Sequence, residues 1–372
     1  MDFAFNDEQQ MLLDTTRRFI AERYSFEHRN QVRASTEGWS REVWNQLAEL
    51  GVLAINIPEE EGGIGAGPLG TMLVGNAIGE GLLLEPFWAS AVVATHAVVT
   101  LGSASQRAAL LPGLASGESI AVLAHEEAST RFDAMHIETT AVARPGGWEL
   151  TGRKSAVYHA PAANLLLVSA MTDDKLAVFA VPADAAGVQL QAFTSVDGQP
   201  AANVILEKVQ LDSNARLGGD AGDSLQAILD YGLAALCAEA FGAMDRMLAA
   251  TIAYSRSRVQ FGAPIGSFQA LQHRMADMFM HLEQARSMSY LATCECLNPD
   301  ARARGQAMSA AKTLMGQAAR YIGQQSVQLH GGMGMTDELD VSHYFKRLLA
   351  FELRCGSTDQ HLENYRSGLR AA

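Results

Sequence analysis

The sequence predicts an α+β fold in three consecutive parts, helical, then β, then helical, and three observations carry that expectation. Residues 1–116 repeat apolar positions three and four apart, residues 117–220 break into short apolar runs between Gly, Pro, Asp and Asn, and residues 221–372 return to amphipathic segments rich in Ala, Met and Leu. The chain has 372 residues, 48% of them apolar, enough for two or three domains or one large interlocked core. Its net charge of −13 opposes a nucleic-acid backbone as partner, because a basic face would have to outweigh that field.

In the first part, Asn6 or Asp7 is placed to cap a helix whose apolar stripe is Met11, Leu12, Thr15, Phe19 and Ile20. Pro58 and the glycines at 62, 63, 65 and 67 make a loop, and helical periodicity resumes from Leu69 to Glu80. The apolar run Phe87–Leu101 contains His96 and is too short to span a bilayer, so it reads as a buried helix and no membrane is expected. The opening Met1-Asp-Phe-Ala-Phe-Asn-Asp-Glu lacks the pattern of a signal peptide. Cys237, Cys294, Cys296 and Cys355 show no metal-ligand spacing, and Cys294 and Cys296 are too close for an ordinary disulfide. Reduced thiols and a cytoplasmic location follow as expectations.

In the second part, Ile120–Leu123, Leu165–Val168, Leu176–Val181 and Val204–Leu206 read as strands of a small sheet or barrel. In the third, Leu225–Leu297 and Ala301–His330 read as a block of long amphipathic helical segments whose small residues permit close packing in a bundle core.

The segment Tyr254-Ser-Arg-Ser-Arg-Val-Gln-Phe-Gly-Ala-Pro-Ile-Gly-Ser-Phe-Gln-Ala-Leu-Gln272 is the most informative stretch. A helix end carries Arg256 and Arg258, Phe261-Gly262 breaks the pattern, and a fresh apolar pattern starts at Ile265. A guanidinium beside a glycine-opened turn can hold a pyrophosphate through two parallel charge-assisted hydrogen bonds, and it can equally be a solvated helix end.

This segment resembles the flavin-contact segment of acyl-CoA dehydrogenases. Further matches follow in order: Trp44-Asn-Gln-Leu-Ala-Glu-Leu-Gly51 with Ile57-Pro-Glu-Glu-Glu-Gly-Gly63, then Leu150-Thr-Gly-Arg-Lys154, then Gln328-Leu-His-Gly-Gly-Met-Gly334. The resemblance implies an N-terminal helical domain (1–116), a middle β-barrel or sheet domain (117–220) and a C-terminal four-helix bundle domain (221–372). It also implies FAD as cofactor, an acyl-CoA thioester as substrate, and an oligomer in which two half-sites meet at a subunit interface. On the neighbour-facing half, Arg258, Phe261, Ile265, Phe268, Gln328, Gly331 and Gly332 match the family's motifs residue by residue. By that resemblance Arg258 pairs with the pyrophosphate, Phe261 and Ile265 form apolar walls, and the glycines admit the nucleotide to the backbone.

The flavin-ring and base half departs from the family. A Thr-Glu-Pro followed by Gly and Ser is usual where this chain has His125-Glu126-Glu127-Ala128-Ser129-Thr130-Arg131, and a Trp-Ile-Thr-Asn wall is usual where it has Ala156-Val157-Tyr158-His159. Ala156 would leave a hole that Tyr158 fills in part. The family's usual base position falls on Cys355, the second known base position on Gly232, and an arginine used by some members near the CoA on Leu233. The expectation is therefore a non-catalytic subunit of a heteromeric acyl-CoA dehydrogenase, donating Arg258, Phe261 and Gln328 to FAD while a homologous partner supplies the glutamate base. The alternatives are a homomeric enzyme with Glu352 or Cys355 as base, and a flavin-free scaffold of the same fold. His125 and His159 are read as hydrogen-bonded structural groups rather than catalytic ones.

Overall fold

The computed structural model describes residues 5–130, 133–173 and 175–370; the first four residues of the N-terminal stretch, and Arg131 of the 125–131 segment, lie outside them. In chain order the helices are α1 (Asp7–Arg23), α2 (Phe26–Ala34), α3 (Arg41–Glu49), α4 (Gly67–Gly81), α5 (Thr95–Leu101), α6 (Ala104–Ala115), α7 (Gly222–Ser257), α8 (Gln269–Glu295), α9 (Ala301–His330), α10 (Asp340–Leu353) and α11 (Thr358–Arg370). The strands are β1 (Ala121–Ala124), β2 (Thr140–Arg144), β3 (Gly147–Tyr158), β4 (Leu165–Thr172), β5 (Lys175–Pro182), β6 (Val188–Thr194), β7 (Pro200–Asp212), β8 (Arg216–Leu217), β9 (Val259–Gln260) and β10 (Ala263–Pro264). Two compact units result: Asn30–Gly67 with Leu84–Gly232, and Met1–Arg29 with Pro68–Leu83 and Leu233–Ala372.

The first unit carries a mixed sheet in the order β6-β7-β3-β2-β4-β5-β8, with β1 joining β4 in parallel. Leu166, Leu167, Val168, Val178, Phe179 and Val181 on β4 and β5 are wholly buried. Strands covered on both faces read as continuous apolar runs, which is why these two are legible in the sequence. Phe87–Leu101 is the expected buried helix, but it opens as a π-helix over Phe87–Ala94 before continuing as α5. The Thr95 hydroxyl donates to the Ser90 carbonyl across five residues at 2.9 Å, matching that wider winding.

The second unit is helical. Asn6 caps α1 in a reciprocal pair with Gln9: the Gln9 amide donates to Asn6 Oδ1 at 2.8 Å, and the Asn6 amide to Gln9 Oε1 at 3.0 Å. The buried stripe of α1 is Leu13, Thr16 and Ile20, with Met11 65% exposed, so the expected stripe is rotated. Thr16 tolerates burial because its hydroxyl donates to the Leu12 carbonyl at 2.8 Å. α4 and α7 touch backbone to backbone: a β-carbon built on Gly79 would lie 1.9 Å from the Glu239 carbonyl oxygen, and one on Gly242 2.0 Å from that of Asn76. The Glu239 carboxylate pairs with Arg347 of α10 at 2.5 Å, and Arg286 of α8 lies over the Phe241 ring at 4.9 Å. α7 is long and apolar enough to cross a membrane, yet 89% of its apolar window is buried inside the protein, as a core helix requires. The helical block from Leu225 to Leu297 consists of α7 and α8, split where Phe261-Gly262 breaks the pattern.

Candidate functional site

The split is a two-stranded hairpin, β9 paired antiparallel with β10, turned by Phe261 and Gly262. Both turn residues have positive φ, 55° and 81°, the combination a two-residue hairpin loop demands. Phe261 tolerates that conformation at a cost of about 1–2 kcal/mol, and its side chain is 93% exposed. Its ring meets Phe268 edge-on at 6.1 Å, while Phe268 is itself 37% exposed and Ile265 is half-buried. Arg258 is exposed, and its guanidinium has no partner among the described residues.

The structure brings this hairpin to the second motif. Tyr254, one turn before Arg258, stacks on His330 at 4.3 Å between ring centres, and His330 is the last residue of α9, directly before Gly331. Gly331 has φ 60° and ψ −141°, a backbone region that glycine alone occupies readily. A β-carbon at Gly332 would meet nothing within 4 Å, and the Gln328 side chain is exposed. One edge of the helical unit thus presents an unpaired guanidinium, two exposed aromatic rings, an amide and an open glycine turn.

The residues expected at the ring wall lie in the sheet-bearing unit. Ala156 sits at φ 50° in the irregularity between Lys154 and Val157 of β3 and is exposed, while the Tyr158 hydroxyl contacts that of Ser195 at 3.1 Å. His159 is buried, and its Nε2 donates to the Leu84 carbonyl at 2.8 Å.

Beneath this wall lies a buried polar network that the sequence reading did not identify. Lys154 is fully buried and donates to Glu127 at 2.7 Å, to the Ser169 hydroxyl at 3.0 Å and to the His125 carbonyl at 3.2 Å. Glu127 also accepts from the Thr139 hydroxyl (2.6 Å), the Thr139 amide (3.0 Å) and the Glu138 amide (2.7 Å). Burial alone would raise the Glu127 pKa, but these donors outweigh it and hold the carboxyl below its ordinary range. Burial, aided by the Lys154 charge, lowers the His125 pKa to about 4, so the imidazole beside Ser169 is neutral near pH 7. One signal was available: Leu150, Gly152 and Lys154 share a strand face, which points the lysine inward.

Of the two base positions, Gly232 lies in the sheet-bearing unit. A β-carbon there would come 2.8 Å from Val93 Cγ2 and 3.6 Å from the Trp88 ring, and Trp88 Nε1 donates to the Gly232 carbonyl at 2.8 Å. Cys355 lies in the helical unit at φ 55°, half-buried, with its carbonyl bonded to His361 Nε2 at 2.7 Å. Leu233 is buried. Glu352 accepts from the amide and hydroxyl of Thr358 and from Arg320 at 3.4 Å, so it is a held carboxylate.

Residues 6–118, 123–209 and 222–369 match the N-terminal, middle and C-terminal domains of acyl-CoA dehydrogenase. The chain belongs to the acyl-CoA dehydrogenase family. This is a family of FAD-dependent oxidoreductases, and its helix–sheet–helix architecture is the one observed here. The human mitochondrial short-chain specific acyl-CoA dehydrogenase is 29% identical over 95% of this chain and 88% of its own length. The Tcur3481–Tcur3483 steroid ACAD is 28% identical with a TM-score of 0.91, covering 98% of both chains. The ChsE4–ChsE5 complex from Mycobacterium tuberculosis is 26% identical with a TM-score of 0.91, covering 100% of both.

Proposed function

We propose that this acyl-CoA dehydrogenase chain is the non-catalytic subunit of a heteromeric enzyme and donates the pyrophosphate and adenine contacts of an FAD held mainly by a homologous partner. The observation that carries the reading is the hairpin tip, where a strained, 93% exposed Phe261 stands near an unpaired Arg258. A chain gains nothing by itself from ordering an exposed aromatic ring on left-handed backbone. Arg258 would hold the pyrophosphate, Phe261 and Ile265 would cover the nucleotide, and Gln328 with Gly331 and Gly332 would meet its adenine end. FAD supplies the hydride acceptor for α,β-dehydrogenation of an acyl-CoA, while these residues bind and orient it.

The base positions support delegation of the chemistry. At Gly232 the Trp88 indole and Val93 fill the space an acidic side chain would enter, and the other position is Cys355, a thiol in place of a carboxylate. The Tcur3481–Tcur3483 and ChsE4–ChsE5 assemblies are pairs of unlike chains, which is consistent with such a division.

The test is the visible spectrum of the chain purified alone, mixed with FAD and desalted, against the chain co-purified with a homologous subunit. The expected result is a colourless chain and a yellow complex, with Arg258→Ala in this chain lowering the flavin content of the complex. Bound flavin near one per chain in the isolated protein would overturn the reading.

A further inference from the structure

The helical unit holds a half-open cavity of about 460 Å³, lined from α1, α4, α7, α10 and the start of α2. That volume falls within the range of small-ligand sites, about 300–1,000 Å³. Its lining carries three guanidinium groups, Arg17, Arg29 and Arg246, against two carboxylates, Glu80 and Asp340. It is separate from the hairpin, because Arg246 precedes Arg258 by twelve residues, about 18 Å along α7.

The three cations are in different states. Arg17 is engaged by Glu80, to which it donates through Nε at 3.0 Å and through Nη2. Arg29 is buried and fixed: its Nε donates to the Leu82 carbonyl at 2.8 Å and its Nη1 to His343 Nδ1 at 2.9 Å. Leu82 itself sits at φ 53°, a left-handed conformation that a leucine holds only where its surroundings over-determine it. Arg246 is exposed. Its polar neighbour is the Tyr344 hydroxyl, and no carboxylate among the described residues lies within ion-pair distance of it. A guanidinium has five N–H donors, so one phenol leaves most of them for a ligand. The Tyr344 hydroxyl is held in turn, donating to the Glu80 carbonyl. Asp340 also forms no ion pair among the described residues, although it lines the same cavity as Arg246. Ile20, Phe26 and Leu82 supply an apolar wall.

We propose that this cavity binds a small organic oxyanion, with its carboxylate or phosphate on Arg246 and its apolar body against Ile20, Phe26 and Leu82. Arg246 takes two oxygens of the anion through parallel N–H donors. Arg29 adds a fixed positive charge to the same cavity, and Asp340 opposes the anion and so favours a singly charged head group. This goes beyond the flavin reading, since filling the cavity requires neither flavin nor partner.

The probe is 2-naphthoate, titrated calorimetrically into the full chain at pH 7, with 2-naphthamide and inorganic phosphate as comparisons. The expected result is one naphthoate per chain, with the amide and the phosphate each at least about tenfold weaker. Arg246→Gln should weaken naphthoate at least about tenfold, and Asp340→Asn should tighten it about threefold. Should Arg246→Gln lose its helical ellipticity, Asp340→Asn decides: tighter binding supports the site and unchanged binding overturns it. No naphthoate binding to the wild-type chain, equal binding of the amide or of phosphate, or an affinity that folded Arg246→Gln retains would overturn the proposal. Binding that Arg258→Ala removes would place naphthoate at the hairpin and overturn it too. The flavin reading is decided by the spectrum of the co-purified complex, so either can fail without the other.

Discussion

Removing the Glu127 carboxylate should cost more than removing the Lys154 ammonium, although both belong to one ion pair. In Glu127→Gln, Lys154 remains fully buried and must either carry its charge with only the Ser169 hydroxyl, the His125 carbonyl and a neutral amide oxygen to face or give up its proton, since burial lowers its pKa to about 8 even with the carboxylate in place. An unpaired buried charge of this kind costs about 3–5 kcal/mol. The new amide hydrogens would also point at a site ringed by the Thr139 and Glu138 donors. In Lys154→Met, Glu127 keeps those three donors, and a carboxylate held by several N–H and O–H groups stays ionised without a counter-charge. What is lost is one charged hydrogen bond, about 2 kcal/mol. The assay is urea unfolding at pH 7 followed by tryptophan fluorescence. Trp39, Trp44, Trp88 and Trp148 all lie in the sheet-bearing unit, so the signal reports the unit that holds the network. A Lys154→Met variant as destabilised as Glu127→Gln, or a Glu127→Gln loss below about 1 kcal/mol, would refute the reasoning.

Two further outcomes are expected in the same unit. Burial lowers the pKa of His96, stacked on Tyr231 at 4.1 Å, and of His125 from 6.5 to about 4. A depressed folded-state value means the unfolded chain binds the proton first, so this stability is complete above pH 6.5 and is lost as pH falls towards 4. The loss is about 3 kcal/mol for each histidine at most, readable as a falling urea midpoint across that window; a flat profile would contradict it. Gly232→Ala should destabilise the unit by about 1–3 kcal/mol through overpacking against Val93, and adding Val93→Ala should recover most of that loss.

The sequence made the strongest elements legible and left the polar interior hidden. β4 and β5 stand out because both faces are buried, whereas β2 and β6 alternate with exposed residues and carry too few apolar side chains to be noticed. The hairpin was legible because Phe261-Gly262 interrupts a helical pattern. The stripe of α1 was misplaced because Thr16 looks polar until its hydroxyl is bonded to the helix's own backbone. Lys154 and Lys312 follow one rule: each sits at a position whose period places it among buried neighbours, Leu150 on a strand and Met308 and Met315 on a helix. A lysine on an apolar face is a signal, but nothing in the sequence says which acceptors it reaches. Trp88 over Gly232 left no trace at all, since the two lie far apart in the chain.

The hairpin offers a test of whether its strain belongs to the chain or to a partner. If Phe261 serves the fold, its replacement should weaken the isolated protein. Its environment argues otherwise, because the ring is almost wholly solvated and its one aromatic neighbour among the described residues is Phe268, itself partly exposed. Phe261→Gly removes the left-handed cost of about 1–2 kcal/mol and adds back about 0.5–1 kcal/mol of chain entropy. The isolated chain should therefore keep its stability or gain up to about 1 kcal/mol, measured by loss of helical ellipticity in urea, since this unit contains no tryptophan. The complex with a homologous subunit should in contrast lose flavin on desalting, because the apolar cover over the nucleotide is gone. A destabilised chain with an intact yellow complex would assign the ring to the fold and remove the main support for a shared site. A stable chain with a bleached complex would mean that strain is tolerated in one subunit because its return is realised in the other.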